Sequence, residues 1–305
     1  MISFMSINIA NEPPGRPAPM RESAPPAARA PQPVTRRPLE GLPAGTVRVV
    51  QITDTHLYAD PAGTLLGMNT LQSLDAVLDL VRAEALPADV VLATGDLVHD
   101  GTAAGYRLLA GRLGSLGCDA LALPGNHDDP QVLATVLDRP PVQRVREARR
   151  GGWQVLLLDS TVPGSDGGLL AADELGWLDA TLAGESGHAL VCLHHSPLPT
   201  GSDWLDTMAL ANADDFFALL DRHPRVRGVL FGHIHQTLDR ERNGVRIMGS
   251  PSTCVQFAKV RPRFGVDRRP PGYRWLGLLP DGGIRSGVRR VASIVGQLEA
   301  DASGY

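Results

Sequence analysis

Five short stretches of the 305-residue chain concentrate its oxygen and nitrogen ligands. They are ITDTHL (52–57) with Asp54 and His56, TGDL (94–97) with Asp96, PGNHDD (124–129) with Asn126, His127 and Asp128, LHHS (193–196) with His194 and His195, and FGHIHQ (231–236) with His233 and His235. Six of the nine histidines lie in them. In Asp54-x-His56 and His233-x-His235, residues i and i+2 of an extended segment face the same way, so both side chains can reach one cation. Adjacent His194 and His195 face opposite ways, which implies different tasks. Gly232 lets the backbone turn without a Cβ clash. Each stretch alone is an ordinary polar turn; their joint presence is the signal. Two Asp, one Asn and four His form a ligand set without thiolate, which suits Mn, Fe, Zn or Co better than Ca or Mg. Seven protein ligands exceed the needs of one ion that must keep open positions. A pair of ions sharing one carboxylate fits better.

The elements around these stretches follow one rule. TVRVVQIT (46–53), DVVLATGD (89–96), DALAL (119–123), WQVLLLDS (153–160), HALVCL (188–193) and RVRGVLF (225–231) are short, apolar and rich in β-branched residues, as buried strands are. Between them, Leu71, Leu74, Val77, Leu78 and Val81 recur at helical spacing behind the possible N-caps Asn69 and Thr70. Thr102 is placed to cap a helix carrying Tyr106, Leu108, Leu109 and Leu113, and a helix spans about 173–183. Asn212 is placed to cap one ending near Leu220. VRIMGS (245–250) and YRWLGLL (273–279) add later strands. Strands alternating with helices predict an α/β protein with a mainly parallel sheet. The polar residues stand just after strands end, where open α/β sheets bind ligands.

Composition narrows the classes. Apolar residues make up 43% of the chain, enough for one large core or two modest ones. A formal net charge of −4 gives no basic excess for a nucleic-acid backbone. The three cysteines, Cys118, Cys192 and Cys254, form no CxxC pair and suit a reducing compartment. No apolar run is long enough to span a bilayer, and the N-terminus does not read as a signal peptide. The expected location is the cytoplasm, with no membrane partner. Residues 1–45 hold ten of the 25 prolines and few large apolar residues, the mark of a disordered leader. A single catalytic domain is expected over 46–305.

With these motifs in hand, the order Asp54-x-His56, Gly95-Asp96, Gly125-Asn126-His127-Asp128, His194 and Gly232-His233-x-His235 resembles the calcineurin-like metallophosphoesterases across nearly all of 46–255. LHHSPLPTGSDWLD (193–206), GHIHQ (232–236) and PSTCVQF (251–257) look like the bacterial class III cyclic-nucleotide phosphodiesterases of the cyclic-AMP type. The resemblance implies a four-layer α/β/β/α sandwich with a dinuclear site at the strand ends. It implies that Asp54, His56, Asp96 and His235 bind one metal, and Asp96, Asn126, His194 and His233 a second, with Asp96 bridging. Iron or manganese is favoured, with zinc the other candidate. The implied reaction is hydrolysis of 3',5'-cyclic AMP to 5'-AMP by a hydroxide that the metals activate. Another phosphodiester is the alternative: a glycerophosphodiester, a 2',3'-cyclic nucleotide or a cell-wall precursor. A non-catalytic metal-dependent binding protein is the third reading. The chain is expected to act as a monomer or homodimer.

His127, outside the implied ligand set, is the expected general acid or hydrogen-bond donor at the leaving oxygen, with Asp128 orienting its ring. Asn126 and His127 are expected to meet substrate. His195 either contacts substrate phosphate or packs as support. His99, His188 and His223 are expected to be solvated. Cys254 reads as a small buried apolar residue. Asp203, Trp204 and Asp206 are placed to rim the pocket. The basic stretch 259–275 and the Arg cluster at 144–150 read as solvated faces.

Overall fold

The computed structural model describes residues 37–184 and 186–304. Two sheets form its centre. The first runs in the order Ile284–Arg290, Gly272–Leu278, Val47–Ile52, Val90–Thr94, Ala120–Leu123, Val142–Arg144, Asp138–Arg139. The second runs Leu238–Arg242, Val245–Gly249, Val226–Phe231, His188–Cys192, Trp153–Leu157, Glu147–Arg150. The inner strands of each sheet are parallel, and antiparallel strands close the outer edges.

The expected mainly parallel sheet is thus two mixed sheets packed face to face. Val49, Val90, Leu92 and Leu121 of the first meet Val155, Leu190, Leu230 and Met248 of the second. The outer face of the first sheet is covered by the helices Thr70–Glu84 and Ala103–Gly114, through Leu74, Val77, Val81, Tyr106 and Leu109. The outer face of the second is covered by Ala172–Ala183 and Ala213–Leu220, through Leu178, Leu182 and Phe216. The result is the four-layer α/β/β/α sandwich. Strands buried on both faces need no polar alternation, which is why Val90–Thr94 and Trp153–Leu157 are buried throughout and apolar at all but Thr94 and Gln154.

Asn69 and Thr102 cap their helices, accepting from the amides of Gln72 and Gly105. Asn212 does not cap. Its amide instead pairs with both backbone groups of Leu170, at 3.0 and 2.8 Å. A buried network joins the two sheets below the strand ends. Gln51 Nε2 donates to Thr94 Oγ1 at 2.7 Å and to Phe231 O at 3.2 Å. Ser250 Oγ bonds to Gln51 Oε1, and Arg274 Nε donates to Ser250 Oγ. Arg274 is fully buried, so the basic stretch 259–275 is not simply a solvated face; burial brings its guanidinium down to about 10. In the 144–150 cluster, Arg144 pairs with Asp159 and Arg150 with Asp119, while Arg146 stacks on Trp177.

Leu39 is buried among the helix-layer residues of the first sheet, and Leu42 packs beside it. Ordered packing therefore begins before residue 46, through these two leucines. Residues 1–36 of the expected leader lie outside the described residues. Among the described residues, no helix is long and apolar enough to cross a membrane.

Candidate metal centre

The parallel strands deliver their carboxyl ends to one edge. Val47–Ile52 leads into Asp54 and His56, Val90–Thr94 into Asp96, and Ala120–Leu123 into Asn126. From the second sheet, His188–Cys192 leads into His194 and Val226–Phe231 into His233 and His235. All seven expected ligands meet there. Asp54, His56, Asp96 and His235 bring donor atoms within 4.8 Å of one another, as do Asp96, His194 and His233. Asn126 Oδ1 lies 3.1 Å from His233 Nδ1.

Backbone geometry marks the same residues. Asp54, His56, Asp96, His233 and His235 have φ of 53°, 45°, 52°, 65° and 47°. Non-glycine residues in this left-handed region cost of order 1–3 kcal/mol each and persist where the surroundings over-determine them. Close approach explains two of the motif glycines. A Cβ on Gly125 would fall on the Asp96 carboxylate, and one on Gly232 would fall on Thr53 Oγ1 and lie 3.0 Å from Asp54 Oδ2. Gly232 is therefore needed for lack of space and not for a special turn.

Ring orientations fix where lone pairs point. His194 Nδ1 lies 2.9 Å from Thr94 O, and His235 Nδ1 lies 2.8 Å from Val255 O. A carbonyl only accepts, so each Nδ1 carries a proton and each ring turns its Nε2 to the site. His194 Nε2 stands 3.2 Å from Asp96 Oδ2, and His235 Nε2 stands 3.4 Å from Asp54 Oδ1 and 3.2 Å from His56 Nε2. His56 Nε2 lies 3.8 Å from Asp96 Oδ2. Asp54 Oδ2, His194 Nε2 and His233 Nε2 are buried without a hydrogen-bond partner. Buried acceptors are rarely left so, and convergent lone pairs call for a cation between them. The donor set fits two ions sharing Asp96.

Electrostatics agree with that fit. Burial pushes His56 and His233 well below the usual imidazole range, which leaves them neutral as ligation requires. Burial works against a charge on either Asp96 or His194, yet the pair hold each other charged: the carboxyl sits well below its ordinary value and the imidazole is raised to about 9, so an ion bound here would displace the His194 Nε2 proton. Asp96 Oδ1 also accepts from the amide of His127 at 3.0 Å.

Several expectations change. Asp128 does not orient His127 through its carboxylate oxygens. They accept from the amides of Leu97, Val98 and Gly125 and from the Tyr106 hydroxyl, at 2.9–3.1 Å. Asp128 therefore clamps the Asp96 loop to the Asn126 loop. Burial, then the nearby Asp96 charge, raises it to about 6. His195 is fully buried, with Nδ1 2.8 Å from Ser160 Oγ and its ring 4.8 Å from that of His233. Burial takes it down to about 3. That environment favours support over contact with substrate phosphate. His223 is paired with Asp179 at 2.6 Å, not merely solvated.

His99 was not expected here. Its Nδ1 lies 3.1 Å from His56 Nδ1, and its ring stacks on His127 at 4.7 Å. The available signal was its place in the loop that carries Asp96. The stretch 251–257 also has a task. Ser252 Oγ donates to Asp54 O, Val255 O receives the His235 proton, and Phe257 stacks on His235 at 4.0 Å and 5°. Cys254 is buried within it, and burial pushes its thiol up to about 12.

Comparisons with known proteins point the same way. The chain is 40% identical over 270 residues to the 3',5'-cyclic adenosine monophosphate phosphodiesterase CpdA of Pseudomonas aeruginosa, covering 85% of this chain and 96% of that one. It is 41% identical over 263 residues to CpdA of Escherichia coli strain K12, covering 85% and 95%. Among solved structures, a dimetal phosphatase from Danio rerio superposes with a TM-score of 0.57 at 14% identity, over 81% of this chain and 99% of that one. That likeness speaks to the fold. The profile for calcineurin-like phosphoesterases matches residues 47–237, a span that takes in both donor groups and every strand end that builds them. By motif order, layer architecture and this match, the chain belongs to the calcineurin-like phosphoesterase family.

Proposed function

We propose that this chain hydrolyses 3',5'-cyclic AMP to 5'-AMP. The observation that carries the reading is the pair of donor groups sharing Asp96, in a chain about 40% identical to named cyclic-AMP phosphodiesterases over most of both lengths. In this reading Asp54, His56, Asp96 and His235 hold one ion, and Asp96, Asn126, His194 and His233 hold the other. Iron, manganese and zinc all suit the donors, with iron or manganese favoured. When bound, a metal pair supplies Lewis acidity and a nucleophile from water at neutral pH.

The chain's residues do the rest. Asp54 and Asp96 are the only carboxylates in the two donor groups, so divalent ions leave the site net positive and matched to a diester anion. Neutral imidazoles ligate without adding positive charge that would repel the ions. Asn126 and His127 line the cavity beside the second group, where they meet the phosphate oxygens. His127 donates a proton to O3' as the P–O3' bond breaks, which avoids expelling an alkoxide. Asp128 and His195 act through the groups they hold in place.

The test is a side-by-side assay. The purified protein, loaded with Mn or Fe, is given cyclic AMP, cyclic GMP, 2',3'-cyclic AMP and bis-p-nitrophenyl phosphate. The expected result is 5'-AMP from cyclic AMP at the highest kcat/KM of the four. Turnover of the other diesters without cyclic AMP turnover would overturn the substrate reading.

A further inference from the structure

A cavity of about 200 Å³ opens beside the second donor group, and its lining combines polar and aromatic side chains. Its polar lining is Asn126, His127, Asp166 and His233, and its apolar lining is Trp204, Met208 and Phe264. Trp204 and Phe264 stand edge to face at 5.1 Å, and each packs on Phe257, at 5.1 and 5.6 Å. Phe257 in turn stacks on His235, so the aromatic lining is tied to the metal centre. The segment bearing Trp204 is held as well. The Asp206 carboxylate accepts from the amides of Thr200 and Gly201 and from the Thr200 hydroxyl, at 2.6–3.0 Å. Asp206 is thus a clamp and not a rim residue, and Phe264 brings the basic stretch to the site. Trp204 Nε1 is buried without a hydrogen-bond partner.

We propose that Trp204, Met208 and Phe264 form the nucleobase subsite, that it takes a purine, and that the diester lies beside Asn126 and His233. This rests on the cyclic-nucleotide reading above and adds where the base sits. In a 3',5'-cyclic nucleotide the phosphate is fused to one side of the ribose, and the flat base projects from the other. A cavity lined by residues of the donor group and by aromatic rings offers a partner to each half. Aromatic walls and a thioether favour the larger π-face of a bicyclic base over a single ring. Stacking on aromatic side chains is tolerant of base identity, so the rings select for a flat base and not for one pattern of polar groups.

The test uses the metal-loaded full chain and its Phe264→Ala and Met208→Ala variants. The readout is the ratio of kcat/KM for cyclic AMP to that for methyl p-nitrophenyl phosphate, a diester with no base. Phe264→Ala should lower this ratio about tenfold through KM for cyclic AMP. Met208→Ala should lower it less, and it carries the test if Phe264→Ala does not fold. Wild-type protein should also bind 5'-AMP more tightly than ribose 5-phosphate in calorimetry. An unchanged ratio in the folded variants, with wild type still hydrolysing cyclic AMP, overturns the subsite and leaves the proposed function standing. A wild type that cleaves methyl p-nitrophenyl phosphate but not cyclic AMP overturns the function and this assignment together.

Discussion

The two donor groups share Asp96 but are built differently. Asp54, His56 and His235 are almost wholly buried, and two carboxylates serve their group. They rest on Ser252, Val255 and Phe257 on one side and on His99 on another. The second group has the shared carboxylate as its one anionic ligand, with His194, His233 and Asn126 beside it. Its Asn126 and His233 face the open cavity. More charge and more backing suit the first group to holding an ion. Less charge and an open side suit the second to meeting substrate. Graded chelation should therefore empty the second group before the first.

The substitution expected to act most strongly removes what the groups have in common. Asp96→Ala should release both ions and bring cyclic-AMP turnover to background, with metal analysis of the folded protein as the check. Retention of one full equivalent would show that the groups are more independent than drawn here. His127→Ala tests the open side alone. It should lower kcat by about 10²–10⁴ at full metal content if the ring is the general acid; unchanged turnover would remove that role. His99→Ala tests the backed side. Loss of a partner behind a ligating histidine weakens metal affinity about 10–100-fold, and His99→Gln should restore part of it. The expected loss is in the tighter of two Mn equivalents by calorimetry, and a loss confined to the weaker one would contradict the comparison. The smallest effect is for Phe257→Leu, which gives up the stack on His235. It should lower stability by about 1 kcal/mol in denaturant unfolding, with the second ion's affinity unmoved.

What the sequence made legible follows the same division. The ligand positions could be read because five polar stretches each follow an apolar run and together stand in the order of a known family, although the extended backbone assumed for the i, i+2 pairs is left-handed at those residues. His99 could not, since a lone histidine carries no spacing. Arg274 was missed because it sits in the Gly272–Leu278 strand, where only the structure shows that Ser250, Leu238 and Gly249 receive its guanidinium. The resemblance implied the two sheets of the sandwich, whereas the residues by themselves read as one sheet for a physical reason. Strands buried on both faces lose the alternation that would say which face meets which layer. Asn212 read as a cap because Asn before a helix usually is one, yet its amide found a better partner in the Leu170 backbone. The left-handed backbone at five ligands was equally silent, because no residue there is glycine.

The most direct test of the central claim is a metal titration of the stripped protein, with 5'-AMP formation from cyclic AMP followed at each addition. A two-ion centre sharing Asp96 predicts little turnover at one equivalent per chain and a rise that breaks at two. Full activity at one equivalent, or 5'-AMP formation without metal, would contradict it.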